Sequence, residues 1–388
     1  MKKNTLYLSF IFILINLLSY AQNVNIPDNN FKNKLLIHYP LIDTNNDGEI
    51  QFSEAEAITE TIDVSGTFAN PGEITDLTGI EAFINIDELK CEYNQLSSLS
   101  LNSNTILEDL FCDFNEITEL DISNNTTLRT LSCSNNLLTS LDVLNNVNLE
   151  FLQCNFGILE TLDVSNNLIL HYLYVQVNQI TNLDLTNNQE LYVLICDDNQ
   201  LTNLNLSNNI NLDFLLCRNN NFENLDLSNN INLRGIECKS NTNLTYINLK
   251  NGNNDEIFIS GTQSSNFENL PRLENVCVDD VNSDLAEFIL DQVGHSLTFT
   301  EDCSLSLNEI PFTNLTIYPI PTKDIINIQS ETSIIQIDVY SLLGQLLITE
   351  SNKTNINMID TSHLPKGLYV IVLQDSNNNQ GVKKIIKD

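Results

Sequence analysis

The chain has 388 residues, with 17 basic against 51 acidic side chains and a formal net charge of −34. So acidic a surface excludes general affinity for nucleic acid or anionic lipid and favours solubility and cation binding. The length suits two or three domains. From Pro311 onward six basic residues face seven acidic ones, so the acidic excess lies upstream and a separate C-terminal module is expected.

In chain order, the first segment is MKKNTLYLSFIFILINLLSYAQ. Lys2 and Lys3 make a positive start, Leu6 to Leu18 is apolar, and Ser19-Tyr20-Ala21 is a small-x-small cleavage site. The apolar run falls short of the ~20 residues a membrane span needs. No cysteine follows the cut to carry a lipid, and no later segment is long and apolar enough to cross a bilayer. Residues 1–21 are expected to be a signal peptide, and the mature chain to leave the cytoplasm.

A small helical cap, residues 22–73, is expected next. It holds DTNNDGEIQFSE, Asp43 to Glu54. Oxygen-bearing side chains stand at loop positions one, three and five (Asp43, Asn45, Asp47), with Gly48 at six for a sharp turn. Glu49 offers its backbone carbonyl, Gln51 a water-mediated contact, and Glu54 closes the loop. Six or seven oxygens at such spacing suit Ca2+. The segment resembles an EF-hand loop, which implies one calcium ion. Asp28 to Tyr39 is read as an entering helix and Ser53 to Glu60 as an exiting one. A metal-free Asx-rich turn is the other reading. With no second loop visible, a metal-stapled cap fits better than a switch.

Residues 74–303 are expected to form a repeat domain with a C-terminal cap, its core repeating with a period of 21 between an imprecise first unit and degenerate last ones. The unit is L-x-x-L-x-C-x-x-N-x-L-x-x-L-D-L-S-N-N, present eight times from Ile86 to about Asn253. Such fixed-period self-similarity means a solenoid. Twenty-one residues are too few for a strand, two turns and a helix, so each coil should hold one short parallel strand and extended or turn-like backbone opposite. Alternation along the strand sends Leu110 and Cys112 inward and Phe111 outward. Cysteines 91, 112, 133, 154, 196, 217 and 238 then form one inward column, with Val175 in the remaining slot. In-register strands hold neighbouring Cβ atoms ~4.8 Å apart, more than the ~3.8 Å a disulfide prefers. The column is therefore read as buried, unreactive small hydrophobes. Cys277 and Cys303 break the period and are expected to pair, closing the solenoid end in an oxidising compartment.

Two asparagine columns, Asn94 to Asn220 (with Gly157 as exception) and Asn104 to Asn230, are expected to satisfy buried turn backbone with both donor and acceptor. Asp121, Asp142, Asp163, Asp184 and Asp226 form an outer row, read as solvated side chains bonding their own turns. The units resemble leucine-rich repeats of the short, internalin-like kind, with cysteine for leucine at the third hydrophobic position. The resemblance implies a curved solenoid whose strands line a concave face, and a binding scaffold rather than chemistry. In coils four to seven the outward strand positions hold Phe151, Tyr172, Tyr174, Val193, Ile195, Phe214 and Leu216. These are expected to make an apolar binding patch rimmed by Gln153, Asn155, Gln176, Asp197 and Arg218.

A linker, 304–310, is expected before the last module, 311–388. Its apolar alternation with Gly, Pro and Asn breaks predicts antiparallel strands and a small β-sandwich. Tyr318-Pro319-Ile320-Pro321-Thr322, Val339-Tyr340 with Gly344, Lys366-Gly367-Leu368-Tyr369 and Lys383-Lys384 resemble the C-terminal sorting domain of type IX secretion in Bacteroidota. That resemblance implies an export address recognised at the outer membrane.

The expected fold is thus mainly β: a leucine-rich-repeat solenoid, a small helical N-terminal cap and a C-terminal β-sandwich. The expected function is a secreted or cell-surface, non-enzymatic scaffold that adheres to or recognises a protein or glycan. His38, His171, His295 and His363 are scattered and form no metal or catalytic pattern. A signalling adaptor, a structural surface-layer element and, last, a hydrolase using surface carboxylates are the other readings.

Overall fold

The computed structural model describes residues 22–39, 41–259, 265–303, 315–330, 333–341, 346–351, 356–375 and 380–388. The signal segment 1–21, the linker 304–310 and Gly344 lie outside them. The described chain forms two compact units, one up to Asp302 and one from Cys303.

In the first unit the nine-stranded parallel sheet starts at Ile62–Asp63, runs through eight strands of three residues from Glu88–Lys90 to Gly235–Glu237, and never reverses. From Glu88 onward each residue pairs with the one 21 positions later, as Leu110 with Leu131 and Leu152 with Leu173. The period is thus the hydrogen-bond register itself. The middle residue of every strand of this sheet from Leu89 to Ile236 is fully buried, and the cysteine column and Val175 are buried beside them. A second row of short pairings, Leu99–Ser100 with Leu120–Asp121 and Asp142 with Asp163, joins coils through the L-D-L segment.

The two asparagine columns do different work. Asn178 Nδ2 donates to Cys154 O and Val175 O, both at 3.0 Å, and its Oδ1 accepts from Leu159 N at 3.0 Å. Asn188 Nδ2 donates to Val164 O and Asn167 O at 3.0 and 2.9 Å, but its Oδ1 has no partner. The same acceptor is unpartnered in all seven residues of that column, from Asn104 to Asn230. The expectation that both columns use donor and acceptor therefore holds for the first alone. At the second turn the backbone N–H groups already bond carbonyls, as Leu191 N does Asn188 O, so no donor is left for the amide oxygen.

A feature with no counterpart in the sequence reading precedes each first-column asparagine. From Tyr93 to Ser240, one residue per coil is left-handed, with φ between 49° and 63°. Asparagine takes this conformation readily, whereas Phe114, Phe156 and the β-branched Val177 do so at a cost. Tyr93 and Phe114 stack, ring centroids 4.2 Å apart and planes 9° from parallel.

The cap seats one end of the solenoid. Helix α1, Asn29–His38, is N-capped by Asp28, whose Oδ1 accepts from Asn30 N and Phe31 N. The other oxygen of Asp28 accepts from Thr75 N at 2.8 Å, so one side chain caps the helix and ties it to the coil. Phe31 and Leu35 are fully buried. Helix α2, Phe52–Ala55, is a single turn, shorter than the exit helix expected over Ser53 to Glu60. From Asn224 onward a second sheet carries the coils on with longer steps. Asn224–Asp226, Tyr246–Asn248, Asn275–Cys277 and Thr298–Thr300 form a four-stranded parallel sheet with offsets of 22, 29 and 23. Helix α3, Asp284–Val293, capped by Ser283 and ended by Gly294 at φ +73°, buries Leu285, Ala286 and Ile289 against this end.

The second unit has two antiparallel sheets, of three and four strands. Ile326, Ile328 and Ile359 from one share a core with Ile337, Val339, Ile371, Leu373 and Ile385 from the other.

Candidate functional site: the outer face of the nine-stranded sheet

Outward residues of the middle coils converge as aromatics. Phe151 packs on Tyr174 edge-on, with centroids 5.3 Å apart, and on Tyr172 at 6.1 Å. Tyr172 meets Tyr192 at 6.1 Å and 74°. Tyr172 is exposed, while Phe151, Tyr174, Val193, Ile195, Phe214 and Leu216 are half-buried. Phe214 lies over Gly235, where a Cβ would fall 2.4 Å from its ring, and against Phe258 at 6.0 Å. Gly235 thus makes room for Phe214, and Phe258 covers part of it. Of the expected rim, Gln153, Gln176 and Arg218 are half-exposed, whereas Asn155 and Asp197 are buried. The cause is a ladder in which one coil's side chain caps the next coil's N–H. Asp113 accepts from Ser134 N, Ser134 Oγ from Asn155 N, and Asp197 from Arg218 N. Burial raises the Asp197 carboxyl above its ordinary range, against the pull of Arg218 at 2.7 Å.

The residue directly before each strand forms a further column: Glu108, Arg129, Glu150, His171, Tyr192, Asp213 and Arg234. Arg129 reaches Glu150 at 2.8 Å and Glu108 at 3.8 Å. Arg234 grips Asp213 with Nε at 2.6 Å and through Nη2, which also lies 3.3 Å from the Tyr192 hydroxyl. Burial works to raise the Asp213 carboxyl, but the Arg234 and Tyr192 bonds hold it below the usual range. Two depressions open along this column. One, of about 450 Å3, is lined by Phe111, Arg129, Glu150, Phe151 and Tyr172 among others. The other, of about 700 Å3, is lined by His171, Tyr172, Glu190, Tyr192, Asp213, Arg234 and a run of asparagines. Tyr172 lines both. The sequence reading gave no site role to His171, Tyr192, Asp213, Arg234 or Phe258, although a period-21 alignment places the first four in one column.

At the cap loop, Asn45, Asp47 and Gln51 meet: Asn45 Nδ2 lies 2.9 Å from Asp47 Oδ2 and 3.1 Å from Gln51 Oε1. Asp43 accepts from Asp47 N and Gly48 N, with Gly48 at φ +78°. Hydrogen bonds, first that from Glu49 N, hold the exposed Asp47 carboxyl below its ordinary value. Glu54 is buried and accepts from Thr44 N at 2.7 Å and Gln51 N at 2.9 Å, folding the loop's last position onto its start. The Glu49 carboxylate instead pairs with Lys32 at 2.6 Å. Among the described residues no three His, Cys, Asp or Glu side chains gather as a metal cluster. The converging donors are two amides and one carboxylate, flanked by Asp43 and Glu54. Both amides turn nitrogen toward Asp47 here; turned over, they would complete an oxygen set of the kind a hard cation takes.

The seven column cysteines are free, and burial raises every thiol, Cys154 to about 12. Cys277 and Cys303 are each disulfide-bonded. The outer aspartates bond their own turns, Oδ1 of Asp121, Asp163 and Asp184 accepting from the N–H two residues on.

Comparison with known proteins fits this architecture. Residues 316–388 match the family described as the secretion system C-terminal sorting domain. The chain is 30% identical to the functional domain of InlJ from Listeria monocytogenes, whose structure is described as including a cysteine ladder. That match covers 72% of this chain and 60% of that one, with a TM-score of 0.53. This chain therefore spans less than two thirds of that relative. An LRR protein of Leptospira interrogans is 21% identical over 59% of this chain and 63% of its own, with a TM-score of 0.44. No curated protein matches. The first unit is thus an internalin-like leucine-rich-repeat solenoid, and the second is a type IX secretion sorting domain. That tail marks a secreted or outer-membrane-surface protein, and no helix among the described residues is long and apolar enough to cross a membrane.

Proposed function

We infer that the mature chain is a non-enzymatic recognition scaffold, delivered to the periplasm by its signal peptide and onward by its tail, and used there for adhesion. The observation that carries this reading is the coupled ring cluster of Phe151, Tyr172, Tyr174 and Tyr192 on the outer face of a rigid parallel sheet. Aromatic anchors held by packing lose little entropy on binding and dominate interface energetics. A calcium ion at Asp43, Asn45, Asp47, Gln51 and Glu54, with the Glu49 carbonyl, would staple the cap to the first coils. The sorting domain serves export and leaves recognition to the solenoid.

The test is to replace Tyr172 and Tyr174 with serine and compare capture of surface material from the natural surroundings by parent and variant. Loss of capture with an unchanged melting point supports the reading; equal capture refutes it. Deleting residues from Pro311 onward should strand the protein in the periplasm, and normal display would refute the role of the tail.

A further inference from the structure

The geometry points to the two neighbouring depressions along the pre-strand column, which share Tyr172, as a binding site for a neutral, extended glycan chain. This rests on the recognition-scaffold reading and names the ligand class. Together the two depressions span Arg129 to Arg234, five coil steps, or roughly 24 Å at ~4.8 Å per step. An extended peptide advances ~3.3 Å per residue and falls out of step with the coils. A β-linked pyranose with its bridging oxygen advances by nearly one coil spacing, so successive sugars meet equivalent positions on successive coils.

The walls suit sugar faces. The rings of Tyr172 and Tyr192 are 37% and 38% exposed and stand at 74° to one another. The electron-rich face of such a ring attracts the slightly positive C–H face of a pyranose. The polar groups are locked in place without a ligand. Asn232 Nδ2 is tied to Ile210 O at 3.0 Å, and Asn211 Nδ2 to Gln189 O and Glu190 Oε2, each at 3.3 Å. Both asparagines line the depression with Tyr192, and with each Nδ2 so tied the Oδ1 is left as an acceptor for hydroxyls. Fixed hydrogen-bonding groups around an apolar wall give specificity at low ordering cost.

Charge selects a neutral ligand. Arg129 and Arg234 are each neutralised by a carboxylate in the same column. Glu190 and Glu256 add negative charge to the wall of a chain already at −34, which repels acidic polymers.

The experiment is calorimetric titration of the mature protein with soluble hexasaccharides of β-1,4-glucan, β-1,4-mannan, β-1,3-glucan and chitin at up to millimolar concentration. At least one should bind, its trisaccharide should bind roughly tenfold more weakly, and Tyr172→Ala and Tyr192→Ala should each weaken binding by roughly tenfold or more. Tyr318→Ala, on the sorting domain, should change nothing. Melting curves check that the variants are folded. No heat with any of the four sugars overturns the proposal, as does binding that survives both tyrosine substitutions. If sugars fail while serine at Tyr172 and Tyr174 still abolishes capture, the glycan assignment falls and the recognition scaffold stands.

Discussion

Replacing Asn178 by alanine should cost far more than replacing Asn188, although both side chains are buried and belong to period-21 columns. Loss of the Asn178 amide leaves Leu159 N and Cys154 O without their hydrogen-bond partners, while Val175 O keeps its bond from Asn199. Two orphaned backbone groups at about 1–3 kcal/mol each give roughly 4 kcal/mol. Loss of the Asn188 amide orphans nothing, because Val164 O still accepts from Asn167 N and Asn167 O from Leu170 N. Two bonds of about 1 kcal/mol are lost, and relief of the unpartnered Oδ1 offsets part of that, leaving about 1 kcal/mol. At 2–4 °C per kcal/mol for a unit of this size, the melting point should fall by about 8–16 °C for Asn178→Ala and by about 2–4 °C for Asn188→Ala. Thermal and urea unfolding of both variants, followed by circular dichroism, measures this. Equal losses, or the reverse order, would refute the hydrogen-bond accounting.

Val177→Asn should raise stability by about 0.5–1 kcal/mol, since asparagine tolerates the left-handed backbone that valine resists, less the burial that valine gives up; a lower urea midpoint would count against it. Native protein should show no thiol accessible to alkylation at neutral pH, and denatured non-reduced protein seven, with one bridge between Cys277 and Cys303; mass spectrometry counts both, and bridges within the column would overturn the packing argument. Calcium should bind weakly, with Kd on the order of 10⁻⁴–10⁻³ M, and raise the melting point with its concentration. Calorimetry in which Glu54→Ala matches the parent would remove calcium from the account.

The solenoid was legible because register and sequence period are one quantity, so the inward leucines, the cysteine column and both asparagine columns could be placed from spacing alone. What each asparagine bonds was not legible, because it depends on which backbone groups the turn has already used. The last coils were hard to place once the step, from Asn224 onward, became 22, 29 and 23 residues. The left-handed column escaped notice because tyrosine, phenylalanine, valine, aspartate and serine share it with asparagine, and no glycine marks it. The two depressions escaped for a similar reason. Their column changes from arginine to glutamate, histidine, tyrosine and aspartate, a chemical variety that reads as a solvated face until the ion pairs and rings are seen side by side.

Because the strands of the nine-stranded sheet from Glu88 to Glu237 pair at a step of 21, the coil is also a unit of gene length. An in-frame gain or loss of 63 bases (21 codons) adds or removes one whole rung and leaves each column continuous. A change of one codon more or fewer must be absorbed in a turn, as it is between Leu225 and Ile247, or it turns the leucine row outward across the junction. Unequal recombination within the uniform coils thus has a physical filter: a rung-sized product keeps every column, whereas other lengths need a rebuilt turn, as in the 22-, 29- and 23-residue steps of the last coils. Rung-sized products would differ in the length of the aromatic and charged column, giving related chains ligand sites of graded reach without a change to the scaffold's core.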